Sequence, residues 1–137
     1  MLSINSYPPS YVEACHGRIA ALLTTYDRML ATTGPAADTV RAFEHQAFNN
    51  MVLALDGYFG HRARAFEGKD GNPLNEVRIL CAAMMHGDGV VQAEKTIKYD
   101  PARTVLKYRV GDRIALSRAD FEALSDAFFA EIVAKYP

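Results

Sequence analysis

Apolar residues recur three and four positions apart in four stretches of this chain, and this spacing is the strongest constraint on its fold. It is typical of amphipathic helices, which bury one face and leave the other in water. The predicted helices run over 10–33, from Asp38 to about Phe66, over 72–86 and over 117–135. The second would have about 28 residues, far more than an average helix of about 11–12, and Gly57 and Gly60 are positioned to kink it.

Local signals mark the start of each predicted helix, and for the first two they are a Ser10–Glu13 capping box and an N-cap at Asp38. Asn72 followed by Pro73 is typical of a helix start, with asparagine as the N-cap and proline in the first turn. Ser117 and Asp120 have the spacing of a capping box, in which each side chain bonds the backbone N–H of the other. The third and fourth helices therefore have well-defined predicted starts.

The periodicity changes between the third and fourth helices. Residues 96–99 and 104–108 contain β-branched and aromatic side chains and flank Asp100-Pro101-Ala102-Arg103, a sequence typical of a type I turn. We therefore expect a small antiparallel β-hairpin before the last helix. The predicted fold class is mainly α (α+β): a bundle of four helices with one hairpin, forming a single domain over residues 1–137.

Composition excludes several other classes of protein. The chain has 137 residues, is 50% hydrophobic and carries a formal net charge of −1, as expected for an ordinary globular domain. No apolar run reaches the ~20 residues of a membrane span. No export signal is recognisable, and Cys15 and Cys81 form no CxxC pair, so we expect a bacterial cytoplasmic protein with free thiols.

The second predicted helix carries polar residues within a strongly apolar run. At about 100° per residue, His45, Asn49 and Asp56 fall within about 40° of one another, whereas His61 lies on a different face. One interpretation is a small-molecule or anion pocket formed by this helix and the 62–72 connection. Its candidate ligand-binding residues are His45, Asn49, Asp56, His61, Arg62, Arg64 and Asn72. The alternative is a helix buried on several sides, in which Asn49, Asn50 and Asp56 bond to loop backbone or to an arginine. The second predicted helix has no HExxH or ExxH spacing, so we expect no metal site and no cofactor.

Residues 95–113, which include the predicted hairpin, are basic. They contain six lysines and arginines and two aspartates, a net charge of +4 in a chain of −1. A basic ribbon can follow nucleic-acid phosphates, although lysines and arginines also protect exposed strand edges. Nucleic-acid binding through this segment is therefore one alternative function.

Two stretches resemble segments of a group of small bacterial proteins of unassigned function. They are FNNMVLALDGYFGHRARAFEGKDGNPLNEVRIL and TVLKYRVGDRIALSRADFEALSDAFFAEI, together somewhat under half of the chain. The resemblance implies a self-contained domain and transfers no catalytic residue.

The amount of apolar surface favours association as the function. A small bundle with apolar residues on several helix faces commonly covers them with a partner. We therefore expect a non-enzymatic module that forms a homodimer. The first alternative is a binding protein or an enzyme that uses the pocket described above, and nucleic-acid binding is the second.

Overall fold

The computed structural model describes residues 3–33 and 38–137, and these residues contain five α-helices. The helices are α1 (Pro9–Thr33), α2 (Asp38–Tyr58), α3 (Arg64–Glu67), α4 (Pro73–His86) and α5 (Arg118–Lys135). Gly34-Pro35, which the sequence marks as the end of the first helix, lies outside the described residues. Within the described ranges, no helix combines the length and hydrophobicity that a membrane span requires.

Helices α2, α4 and α5 pack against one another, and α1 packs against α5. The shared core consists of fully buried apolar side chains from the three central helices: Phe48, Val52, Leu55, Leu74, Val77, Leu80, Phe121, Leu124, Phe128 and Ile132. Removing this apolar surface from water is the main stabilising contribution to the bundle. The helical part of the predicted fold class is therefore confirmed.

The starts of α4 and α5 also match their predictions. The Asn72 side chain accepts hydrogen bonds from the backbone N–H groups of Leu74 and Asn75, and Pro73 is the first helical residue. Ser117 and Asp120 form the complete capping box. Both starts depend on neighbouring residues alone, which explains why a local pattern was sufficient to find them.

The predicted length of the second helix was wrong. Helix α2 ends at Tyr58 instead of continuing to about Phe66, and His61 adopts a left-handed φ of 62°. The backbone N–H of Ile4 donates to the carbonyl of His61 (2.8 Å), and the N–H of Ala63 donates to the carbonyl of Ile4 (2.7 Å). Because the N-terminal segment occupies these groups, they cannot join a continuous helix.

The predicted β-hairpin was wrong as well. The described residues contain no β-strand, only two isolated bridges, Ile4 with Arg62 and Val90 with Arg113. The turn is present, since the N–H of Arg103 donates to the carbonyl of Asp100 (3.0 Å), but the flanking residues do not pair.

A buried carboxylate on α4 explains the absence of this pairing. The two oxygens of Glu76 accept the backbone N–H groups of Val105 and Leu106, both at 2.9 Å. Lys107 then takes a left-handed φ of 60°, which interrupts an extended chain. The N–H groups that a hairpin needs are therefore bound to α4, and residues 87–117 form an irregular connection.

Candidate functional site

A chain of four alternating charges, Asp56–Arg62–Glu67–Arg78, runs from α2 to α4. Nη1 of Arg62 lies 2.9 Å from Asp56 Oδ1, and Nε of Arg62 lies 2.8 Å from Glu67 Oε1. Arg78 then binds both oxygens of Glu67, with Nε 2.8 Å from Oε2 and Nη2 2.9 Å from Oε1. We call these four residues the ion-pair chain.

The middle of the ion-pair chain is buried and its two ends are partly exposed. The side chains of Arg62 and Glu67 are 1% and 0% exposed, whereas those of Asp56 and Arg78 are 28% and 27% exposed. Asn75 also donates to Glu67 Oε2 at 2.9 Å. Buried charges require this degree of pairing, because an isolated charge in the interior is strongly destabilising.

The pKa values reflect the same arrangement. Burial acts to raise the pKa of Glu67, but the hydrogen bond from Arg78 and the charges of Arg62 and Arg78 outweigh it and lower the pKa. For Arg78, burial acts to lower the pKa, but the bond to Glu67 and the charges of Glu67 and Asp56 raise it above its usual value. Both groups are therefore held in their charged forms.

Both exposed ends of the ion-pair chain line one cleft of about 410 Å³, which we call the α2–α4 cleft. Its polar wall consists of Asp56, Arg64, Arg78, His86, Gln92 and Glu94. Its apolar wall consists of Ile79, Cys81, Ala82, Met85, Ala93 and Ile97. The volume lies within the range of about 300–1,000 Å³ that is typical of small-molecule sites.

The Cys81 thiol in this wall is a poor nucleophile. Burial is the main cause that raises its pKa to about 12, so the reactive thiolate is scarce at neutral pH. The sulfur also lies 3.7 Å from the carbonyl oxygen of Val52, as expected for a weak S–H donor. In the cleft, Cys81 acts as part of the apolar surface.

Two of the sequence-predicted site residues bind the 87–117 connection instead of lining the cleft. Asn49 accepts the N–H of Leu116 (3.0 Å) and donates to the carbonyl of Ile114 (3.2 Å). Nδ1 of His45 lies 3.0 Å from the carbonyl oxygen of Leu116. Both side chains hold loop backbone to α2, and for Asn49 this is the alternative that the sequence left open.

The other predicted site residues are divided between the cleft and its supports. Asp56 and Arg64 line the cleft, and Arg62 lies behind it in the ion-pair chain. Asn72 caps α4 and donates to the carbonyl of Glu67 at 2.8 Å. The side chain of His61 is exposed and is not among the cleft-lining residues.

The sequence interpretation missed Glu67, Arg78 and His86 as parts of one site. Neither Glu67 nor Arg78 was among the candidate ligand-binding residues. A usable signal was present, because Arg78 is a single base within the otherwise apolar Val77–Met85 stretch. A charge in such a run has to find a buried partner or a polar cavity.

The basic segment 95–113 does not form the ribbon on which the nucleic-acid alternative depended. Two of its bases bond to nearby backbone, Arg113 to the carbonyl of Asp88 (2.6 Å) and Lys107 to that of Ala102 (3.3 Å).

Residues 3–33 and 38–137 contain no group of three or more histidine, cysteine, aspartate or glutamate side chains that could hold a metal ion.

No protein-family model matches the chain, and no curated protein or solved structure is significantly similar to it.

Proposed function

We propose that this protein binds a small organic anion in the α2–α4 cleft. The observation that supports this most directly is the placement of Arg64 and Arg78 in the wall of one cleft of small-molecule size, beside an apolar surface. Guanidinium groups are the preferred partners of carboxylates and phosphates, because their N–H groups match these oxygens in pairs.

Arg78 is already positioned for such a contact. Its Nε and Nη2 bind Glu67, while Nη1 makes no hydrogen bond to any described residue. Because Glu67 fixes the guanidinium plane, little side-chain freedom is lost when a ligand binds Nη1.

Arg64 supplies a second cation that the fold does not need. It is exposed and takes part in none of the ion pairs among the described residues. The acidic residue Glu94 lies close enough for Arg64 to contribute to the lowering of its pKa, after the larger contribution of hydrogen bonds from Thr96. A ligand carboxylate can therefore bind Arg64 without displacing a carboxylate partner among the described residues.

The test uses 4-methylpentanoate, a carboxylate with a small apolar body, as the probe. We expect it to shift backbone and side-chain NMR signals of cleft residues, including the amide of Gln92. Arg64→Gln should weaken its binding by about tenfold, whereas Arg41→Gln, an exposed arginine on α2 away from the cleft, should leave the affinity unchanged. Absence of probe-induced shifts, or equal affinities in the two variants, would overturn the proposal.

Native and denaturing mass spectra of the purified protein supply an independent measurement. Additional mass that is present only in the native spectrum would identify a retained ligand. An acidic compound of a few hundred daltons, a size that fits a cleft of this volume, would support the proposal.

Association into a homodimer is a second candidate function, supported by a different surface. An apolar groove of about 410 Å³ lies between α1 and α2. Leu22, Met29 and Phe43 line it and are 37%, 38% and 50% exposed. Neighbouring exposed apolar side chains of this kind are typical of surfaces that a partner covers.

Sedimentation at micromolar concentration tests this candidate. Phe43→Ser should shift the protein from dimer to monomer, whereas Phe66→Ser, which changes a similarly exposed phenylalanine outside the groove, should not. A monomeric wild-type protein would exclude the candidate.

We also propose that the protein is located in the cytoplasm. The free, buried thiols of Cys15 and Cys81 support this location, because reducing compartments keep thiols unpaired.

A further inference from the structure

We infer that the ligand of the α2–α4 cleft is a zwitterion with an apolar side chain, of the class of free amino acids. Such a ligand carries a cationic group in addition to the anionic group proposed above. This inference rests on the proposed function and adds the recognition of a cationic group. The feature that supports it is the presence of both ends of the ion-pair chain in one cleft.

The two ends carry opposite charges, and each has an unused polar atom. Asp56 binds Arg62 through Oδ1, and its Oδ2 accepts no hydrogen bond from the described residues. At the other end, Nη1 of Arg78 is available as a donor. One end can therefore accept hydrogen bonds from an ammonium group while the other donates to a carboxylate.

The two ends lie in the wall of one cleft of small-molecule size. Asp56 and Arg78 line the same cleft, and the charge of Asp56 is among those that raise the pKa of Arg78. The ammonium and carboxylate groups of an amino acid are attached to one carbon atom, so they need adjacent charges of opposite sign.

The charge balance of the site also favours a zwitterion over a simple anion. The ion-pair chain contains two carboxylates and two guanidinium groups, and Arg64 and Glu94 add one further charge of each sign to the cleft wall. A simple anion would add a negative charge beside Asp56 and Glu94, and repulsion between like charges lowers its affinity. A zwitterion satisfies both signs.

The apolar wall provides a site for the side chain of the ligand. Ile79, Met85 and Ile97 line the cleft beside the charged groups. Met85 is 64% exposed, so a ligand side chain that covers it would remove apolar surface from water. Its flexible thioether can adapt to aliphatic or aromatic ligand side chains.

Three compounds with one carbon skeleton test the inference on the unmodified protein. Leucine has both charges, 4-methylpentanoate lacks the ammonium group, and 3-methylbutylamine lacks the carboxylate. We expect leucine to bind at least about tenfold more tightly than either analogue when dissociation constants are measured by NMR titration.

A variant assigns the ammonium contact to Asp56. Asp56→Asn keeps an oxygen for Arg62 but removes the negative charge, so it should abolish the preference for leucine over 4-methylpentanoate. The control Asp126→Asn changes an exposed aspartate on α5 outside the cleft and should retain that preference. Because the comparison of the three compounds needs no variant, the inference is testable even if Asp56→Asn fails to fold.

Each outcome separates the inference from the proposed function. If 4-methylpentanoate binds as tightly as leucine, the zwitterion inference fails and the anion proposal stands. If the amine binds as tightly as leucine, or if none of the three compounds shifts cleft signals, both fail. If leucine is preferred in both wild-type and Asp56→Asn proteins, Asp56 is not the ammonium partner and the inference as stated is overturned.

Discussion

Arg78 holds the buried carboxylate of Glu67 with two of its nitrogens, Nε at 2.8 Å from Oε2 and Nη2 at 2.9 Å from Oε1. The contact joins the end of the short helix α3 to the middle of α4. It places a partly exposed guanidinium in the α2–α4 cleft while its partner carboxylate is completely shielded from solvent. Fold stability and the shape of the candidate site therefore depend on the same pair.

Removal of the Glu67 charge should strongly destabilise the protein. Glu67→Gln leaves the buried Arg62 without one of its two carboxylate partners, and breaking a buried pair from one side costs about 3–5 kcal/mol. The control Glu131→Gln removes a carboxylate whose ion pair with Lys135 is partly exposed, and it should cost less than about 1 kcal/mol. Urea unfolding measures both, and equal costs would contradict the assigned role of Glu67.

Two buried glutamates should affect the pH dependence of stability with opposite signs. The pKa of Glu67 is lowered in the folded protein, so its stabilising contribution is present above the usual glutamate pKa of 4.5 and declines as the pH falls below it. Burial raises the pKa of Glu76 despite the N–H groups of Leu106 and Val105, so ionising Glu76 destabilises the fold above pH 4.5.

Unfolding free energies between about pH 3 and about pH 7 test these signs. Glu67→Gln should lose part of the decline that the wild-type protein undergoes below the usual glutamate pKa. Glu76→Gln should lose the decrease in unfolding free energy that ionisation of Glu76 causes above the usual glutamate pKa. The variant also loses one acceptor for the backbone N–H groups of Val105 and Leu106. If the unfolding free energies of the wild-type protein and Glu67→Gln decline in parallel in the acid range, the predicted contribution of Glu67 is wrong.

Two adjacent asparagines on α2 should differ sharply in their contribution to the stability of the fold. Asn49→Ala leaves the carbonyl of Ile114 and the N–H of Leu116 without their partner, which we expect to cost about 1–3 kcal/mol. Asn50 is exposed and bonds only to the carbonyl of Gln46 in its own helix, so Asn50→Ala should cost less than about 0.5 kcal/mol. Hydrogen exchange at the Leu116 amide should accelerate in the first variant alone.

Two glycine-to-alanine substitutions should change stability in opposite directions. Gly71 has a φ of +86°, and an added Cβ would lie 2.3 Å from the carbonyl oxygen of Lys98, so Gly71→Ala should destabilise by at least about 1–3 kcal/mol. Gly17 lies within α1 with nothing within 4 Å of an added Cβ, and alanine there should stabilise by about 1 kcal/mol. Thermal unfolding provides the measurement, and a stabilised Gly71→Ala protein would exclude the proposed close approach.

The candidate site could be predicted in part from sequence. The sequence grouped Asp56 and Arg64 in one candidate pocket, and in the structure both side chains line the α2–α4 cleft. The backbone partners of His45 and Asn49 were not predictable, since Ile114 and Leu116 lie at least 65 residues away in the chain. Glu67 and Arg78 matter because the Glu67 carboxylate is completely buried, and the local sequence pattern does not show that burial.

The sequence alone determined the helical elements and the starts of α4 and α5. Apolar spacing, the Asn72 cap and the Ser117–Asp120 capping box act within a few residues, so no distant contact is needed to specify them. Only the tertiary structure decided where α2 ends and what residues 96–108 become. Ile4 takes the backbone groups that would extend α2, and the buried carboxylate of Glu76 takes the N–H groups that would pair a hairpin. Backbone groups removed from water have to find partners, and in both places the available partner came from a distant part of the chain.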